Sequence, residues 1–400
     1  MAEISIKESP FTPGKPVEPE HFIARAEEIK RLQRAVQQTA LGRNENIFIT
    51  GERGIGKSSL ASYTRYMAEK EYGLVGAYCS MGALRTLEAA VGTIFQRLLE
   101  SCERSVFERL KDAFHRYIRG ITLPLGIGGI EFTDDKSDLQ SLVSGFLPAL
   151  HRFHEAAKED GKKGVMVILD DLNGITGVPE FSHFLKSAVD GLATSRERFP
   201  LLFVLVGVST RREDLVEHQP SVARIFDVVE LRLMSSEEST QFFEMMFNKQ
   251  MINVAADAML MMNQFSAGYP MLMHEVGDAV FWQNNDSHID LKDAKQGIVE
   301  AARSVGRKYI GAQVGSLFRN KTYSSILLRM GQELPIGATF KRQELLKEDA
   351  PEKERQNLDN FLTRVKKLGI MKDGEARGEY TFVNPLYHLY LWYEAKAKNE

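Results

Sequence analysis

The chain has 400 residues, enough for about two or three domains of ordinary size. Hydrophobic residues at 43% and charged residues at 26% give an ordinary globular balance, and a net charge of -3 excludes any global attraction to nucleic acid or membrane. Any basic surface is therefore local. Cys79 and Cys102 have neither metal-ligand nor redox-pair spacing, which argues against a disulfide framework and makes both core residues of a reduced compartment. The opening MAEISIKESPFTPG has no apolar h-region, and no run approaches the roughly eighteen apolar residues of a membrane span. A cytoplasmic chain with no membrane partner is expected.

Residues 1–20 hold four prolines and read as an extended arm. NIFIT, residues 46–50, is a buried-strand pattern that runs into ITGERGIGKSS at 49–59. Gly51, Gly56, Lys57 and Ser58 satisfy G-x-x-x-x-G-K-[ST], and SSLASYTRYMAEKEY after them predicts a helix. The free amides and dipole at the start of that helix favour a phosphate. Residues Gly51, Glu52, Arg53, Gly54, Ile55, Gly56, Lys57, Ser58 and Ser59 are therefore expected to cradle the phosphates of ATP. Gly54 and Gly56 let the amides converge, Lys57 reaches the β/γ-phosphates, and Ser58 offers its hydroxyl to Mg2+.

LVGAYCSM, residues 74–81, predicts the next strand. GITLPLGIGGIEFTDD, residues 120–135, alternates as a hairpin around Gly126, Gly128 and Gly129, either a substrate-facing loop or cover for a sheet edge. GVMVILDDLNG, residues 164–174, is an apolar strand ending in two carboxylates. Asp170 is assigned to Mg2+ through water and Asp171 to polarising the attacking water as general base; the alternative is that the pair caps a strand-to-loop turn. A nucleotide kinase needs no second carboxylate, whereas an ATPase that activates water does. FPLLFVLVGVSTRRED, residues 199–214, has a polar tip at Ser209 and Thr210, suited to sensing the γ-phosphate and orienting water, or else an ordinary strand end. DVVELRLM, residues 227–234, completes five mostly parallel strands with helices between them: an α/β, doubly wound P-loop sheet with ligand at its carboxyl edge.

SSEESTQFFEMMFNKQ, AADAMLMMNQFSA and PMLMHEVGDAVFWQ predict helices over 235 to about 300. In them Met259, Met261, Met262, Met271 and Met273 read as pliable core rather than a binding surface. Beyond about residue 310, TYSSILLRMGQEL, FKRQELLKED and EKERQNLDNFLTRVKKLGIM predict three helices, and MKDGEARGEYTFVNP a hairpin, the parts of a winged helix. The expected domains are an arm at 1–20, a nucleotide-binding α/β domain at 21–234, an all-α lid at 235–308 and a winged helix at 309–400.

This order of parts resembles the AAA+ ATPases over nearly the whole chain, in particular archaeal and bacterial ATPases related to the replication-initiator and STAND signalling clades. FTPGKPVEPEHFIARAEEIKRL resembles the segment that lies against adenine, which implies that His21, Phe22 and Ile23 flank the base, with Ala24-Arg25 where the family usually has Gly-Arg. For Phe22 alone, an arm clamped over the sheet is the other reading. EHQPSVARIFDVVEL resembles the place of an arginine finger, so Arg224 is the candidate to reach the nucleotide of the next subunit in an ATP-dependent homo-oligomer. A surface ion pair is the plainer role for Arg224, and Arg211, in STR, is the second candidate.

SAGYPMLMHEVGDAVF resembles the lid signature in which Gly268-Tyr269-Pro270 opens a helix beside the adenine, with His274 where many lids carry an arginine. LDNFLTRVKKLGIM followed by EYTFVNPLYHLYLWY resembles the winged-helix ends of the same group. On double-stranded DNA it would present Arg355, Gln356, Asn357, Arg364 and Lys367, with Lys372 and Arg377 on the wing. From residue 311 on, fifteen Lys and Arg stand against twelve Asp and Glu, which leaves docking on a protein effector as the rival role. The resemblance implies an Mg2+-dependent ATPase switch, slow because Asp171 is shorter than the glutamate common at that place.

Overall fold

The computed structural model describes residues 8–17, 19, 22, 25–101, 122–123, 130–131, 139–195, 199–333, 339–346 and 350–397. The chain divides into two compact units, Pro16–Arg232 and Met1–Lys15 with Leu233–Glu400. His21, Ile23, Cys102 and the glycines of the 120–135 hairpin lie outside the described residues.

The first unit is built on strands β1 (Glu45–Gly51), β2 (Leu74–Ser80), β5 (Gly164–Asp170), β6 (Leu201–Val206) and β7 (Asp227–Leu231), while β3 (Thr122–Leu123) and β4 (Ile130–Glu131) form a separate two-residue antiparallel ladder. The five strands run in the order β2-β5-β6-β1-β7 and every pairing is parallel. Parallel pairs need crossovers, and helices Lys57–Glu71, Leu87–Glu100, Leu139–Glu159, Pro179–Thr194 and Ser209–His218 supply them. With both faces covered, the strands are apolar throughout: all seven residues of β5 and all six of β6 are buried. On one face Phe146 meets Phe184 edge-on at 4.7 Å, above Phe203 of the sheet. Cys79 is a buried free thiol, its pKa pushed up to about 12 by that burial.

Register brings the chemistry to one edge. Ile49 pairs with Val206, Leu169 with Leu205 and Ser80 with Asp170, so β1, β6, β5 and β2 end together. The turns after these strands carry residues 51–56, 171, 209 and 81–86.

The second unit begins with helices Ser236–Asn248, Ala256–Ser266, Pro270–Phe281 and Leu291–Val305. Capping boxes at Ser235 and Asp290 start the first and last. Met259, Met262 and Met273 are buried and Met261 and Met271 half-buried, the core role expected. A two-residue parallel bridge, β8 (Asn253–Val254) with β9 (His288–Ile289), interrupts the otherwise helical segment. Residues 8–15 belong to this unit. Phe11 is buried with its ring 5.0 Å from Phe247, and the Thr12 N–H donates to His274 Nδ1 at 3.2 Å.

The remainder holds helices Gly311–Arg319, Lys321–Glu333, Glu352–Lys367 and Pro385–Ala397 around the sheet β10 (Phe340–Lys341)-β12 (Glu379–Phe382)-β11 (Met371–Asp373), joined to the preceding helix by a π-helical turn at Gly306–Ile310. FKRQELLKED does not form the α-helix expected. Its first residues are β10, with Phe340 paired to Tyr380 and their rings 6.0 Å apart, and a 3-10 turn follows at Arg342–Leu345. A short apolar-polar pattern suits one helical turn and a strand equally, and cross-strand pairing decided it.

Candidate functional site

Residues 51–56 form a tight loop between β1 and helix Lys57–Glu71. Gly54 and Gly56 take positive φ of 80° and 94°, a region closed to most side chains, and Gly56 is the N-cap. The loop is braced from below. Arg25, buried at 2% exposure, donates from Nη2 to the Ile55 carbonyl at 3.3 Å, and the Val17 N–H donates to Ser59 Oγ at 3.2 Å. Lys57 Nζ donates to the carbonyls of Gly51 (2.9 Å) and Glu52 (2.7 Å), which holds its ammonium at the mouth of the loop. Burial lowers the Lys57 pKa and the nearby Asp170 carboxylate opposes that shift, so the two groups are within electrostatic reach. Glu52 and Arg53 are exposed on the loop's rim.

Asp170 ends β5 at 9% exposure. Its Oδ1 accepts the Asp171 N–H at 2.7 Å and its Oδ2 accepts the Tyr78 hydroxyl at 2.5 Å. The Ser58 side chain is half-buried and its hydroxyl has no partner among the described residues. A carboxylate and a free hydroxyl are hard oxygen donors of the kind Mg2+ takes, so the residues present fit that ion.

Asp171 is exposed and sits at φ 55°, the left-handed region that aspartate tolerates better than most residues. Asn173 donates to its Oδ1. Its Oδ2 lies where a Cβ on residue 82 would be, so Gly82 makes room for the carboxylate.

Ser209 and Thr210 open helix Ser209–His218 and are exposed at its first turn. Arg211, in the same turn, is held by Asp214 at 2.8 Å, and Thr176 Oγ1 donates to the same carboxylate at 2.9 Å. Arg224 stands on the short helix Val222–Ile225; it is exposed, and its guanidinium has no partner among the described residues. Phe22 stacks on Tyr63 of the P-loop helix, centroids 5.2 Å apart. Tyr269 and Pro270 belong to the second unit, where Tyr269 is buried as N-cap of helix Pro270–Phe281. Thus the structure brings Lys57, Ser58, Asp170, Asp171 and the start of the Ser209 helix to one sheet edge.

Residues 21–204 match the family described as AAA ATPase domain. This segment is an AAA ATPase domain. Among solved structures, a Walker-type ATPase of Pyrococcus abyssi is 16% identical, with 94% of this chain and 98% of that one covered and a TM-score of 0.54. The ORC2 protein of Aeropyrum pernix, in ADPNP-ADP complexes, is 15% identical over 95% and 96% of the two chains, with a TM-score of 0.56. At such identities the likeness is one of fold. None of the curated proteins matches the chain in sequence. No helix among the described residues is long and apolar enough to cross a membrane.

Within the AAA ATPase domain, sequence reasoning missed Tyr78, Asn173, Gly82 and Tyr63. Tyr78 left a signal: a phenol inside an apolar strand, two residues before its end, needs a partner for its O–H.

Proposed function

We propose that the chain is an ATP-driven switch whose nucleotide state controls its assembly and the engagement of its C-terminal module with double-stranded DNA. The observation that carries the nucleotide part is the meeting of Lys57, Asp170 and Asp171 at one edge of the sheet, beside a helix start with free amides. ATP lies on Gly51 to Ser59, its phosphates against the loop amides and the Lys57 ammonium. Mg2+ held by Ser58 and Asp170 would neutralise charge developing on the phosphates. Asp171 takes the proton of the attacking water and Ser209 or Thr210 orients that water. Arg224 completes the site of a neighbouring copy, a role supported by its exposure and free guanidinium; Arg211 is committed to Asp214. Asp171 reaches one methylene less far than glutamate, which makes turnover slow. Phe22, with His21 and Ile23, serves the adenine.

For the C-terminal module, a winged helix in this reading, the local charge balance favours DNA. On helix Glu352–Lys367 the acidic Glu354 and Asp359 pair with Arg329 (2.9 Å) and Arg342 (2.8 Å) of the module itself. Arg364 and Lys367 on that helix, and Lys372 and Arg377 on the wing, stay exposed. A second reading, a signalling or defence ATPase whose module docks on a protein effector, draws support from the cations that are spent internally: Arg355 Nε donates to the Ala350 carbonyl at 3.0 Å, and Lys366 pairs with Asp373 at 2.6 Å.

The test is steady-state ATP hydrolysis with and without duplex DNA at low and moderate salt, with solution mass measured under ADP and under ATP. Stimulation by DNA that fades with salt, together with ATP-dependent assembly, is the expected result. Hydrolysis indifferent to DNA, from a monomer that retains ADP, would replace this reading with the second. In the same assay Lys57→Ala is expected to lose tight nucleotide binding; wild-type affinity in that variant would remove the site assignment.

A further inference from the structure

Tyr78 lies on β2 opposite Ile168 of β5, so on the same face of the sheet its diagonal neighbour is Asp170. An aromatic side chain spans that diagonal. The phenol donates to Asp170 Oδ2 at 2.5 Å, a short charge-assisted bond, and its oxygen lies 3.4 Å from the Ser58 carbonyl. One hydroxyl thus touches both residues that would hold the cation. The other oxygen of the same carboxylate is occupied by the Asp171 N–H at 2.7 Å. Two hydrogen bonds, one on each oxygen, fix the plane of the carboxylate and leave each oxygen one further lone pair. A carboxylate held by one bond alone can turn about its Cβ–Cγ axis; held by two it cannot.

We propose that Tyr78 is a positioning residue for a divalent cation at Ser58 and Asp170, setting cation affinity apart from nucleotide affinity. The proposal rests on the metal assignment above. Partners that orient a metal's ligands typically change metal affinity on the order of 10- to 100-fold when removed. Tyr78→Phe keeps the ring and the packing of β2 and deletes only the O–H.

The experiment compares wild type, Tyr78→Phe and Asp170→Asn by electron paramagnetic resonance titration of Mn2+ over saturating ADP. Fluorescent ADP binding in excess EDTA is measured in parallel. For Tyr78→Phe the expected result is Mn2+ binding weakened about 10-fold or more, with metal-free ADP affinity within about twofold of wild type. A tyrosine that merely fills the core would move both or neither. Unchanged Mn2+ affinity in Tyr78→Phe, while Asp170→Asn loses it, overturns the proposal and leaves the metal site standing. Equal Mn2+ affinity in wild type and Asp170→Asn overturns the metal assignment and the proposal with it. Should Tyr78→Phe not fold, 3-fluorotyrosine placed throughout the wild-type chain gives twelve fluorine resonances, of which at least one must shift when Mg2+ is added over ADP. Twelve unmoved resonances overturn the proposal.

Discussion

Asp171 holds a left-handed backbone at the end of a strand where its neighbour Asp170 is extended and buried, so adjacent carboxylates face different surroundings. Non-glycine residues in that region cost on the order of 1–3 kcal/mol and collect at working sites. Replacing Asp171 by Asn keeps the turn and the size and removes the proposed base. Hydrolysis should fall about 100- to 10,000-fold while ADP binds as before, a split that single-turnover and equilibrium measurements separate. Gly82→Ala reaches the same group from another direction, because the new methyl would occupy the space of Asp171 Oδ2. The carboxylate can swing aside, so the fold should survive with its unfolding midpoint nearly unchanged while hydrolysis drops at least about tenfold. The sequence shows Lys57, Ser58, Asp170 and Asp171 because their spacing is local. Tyr78 and Gly82 meet Asp170 and Asp171 across strands and loops, and no spacing along the chain marks those pairings.

Among the elements, the short arm and helix Pro270–Phe281 depend on one another. Phe11 fills the space that a side chain at Gly277 would take, within rings from Phe242, Phe243 and Phe247. Phe11→Ala should cost about 3–5 kcal/mol in the unit that contains Leu233–Glu400, read as a lower unfolding midpoint. His274, whose Nδ1 accepts from Thr12, is pushed down to about 4 by burial, and burial does the same to His388. A histidine at 6.5 when unfolded and near 4 when folded is neutral in the native state, so unfolding takes up a proton between those values. Stability from both histidines is complete above about pH 6.5 and is lost as pH falls towards 4. Denaturant midpoints taken from pH 7 to pH 4 should decline across that window, and His274→Gln should flatten the decline. The helices over 235–283 are legible because their periodicity repeats for several turns. The arm's destination is not: the hydrogen bond from Thr12 joins residues 262 apart, and FKRQELLKED was too short to choose between helix and strand.

At the scale of the whole molecule the proposed switch makes hydrolysis depend on assembly. In the proposed assembly Arg224, exposed and without a partner among the described residues, is the group offered to a neighbouring copy, whereas Arg211 would first have to leave Asp214. Arg224→Ala should bind nucleotide normally and hydrolyse it about 1,000-fold more slowly. Mixed with Lys57→Ala chains, which lack the phosphate grip and keep Arg224, it should regain activity; a mixture no faster than its parts would place the group elsewhere. The five strands and their edge are readable in advance, since apolar runs ending in Gly, Asp-Asp and Ser-Thr announce both burial and exit. That residues 1–15 share a unit with Leu233–Glu400 is not, because membership of a unit is settled by surfaces that only folding creates.

That division sets an order of events during synthesis. Phe11 leaves the ribosome well before Phe242, Phe243, Phe247 and His274, and the ring contacts that bury it form only once they have followed. At about 5–20 residues per second, that leaves the Phe11 ring uncovered for roughly ten seconds to nearly a minute while the segment between has time to fold. The nascent chain therefore carries a hydrophobic tag that disappears only once the C-terminal unit exists.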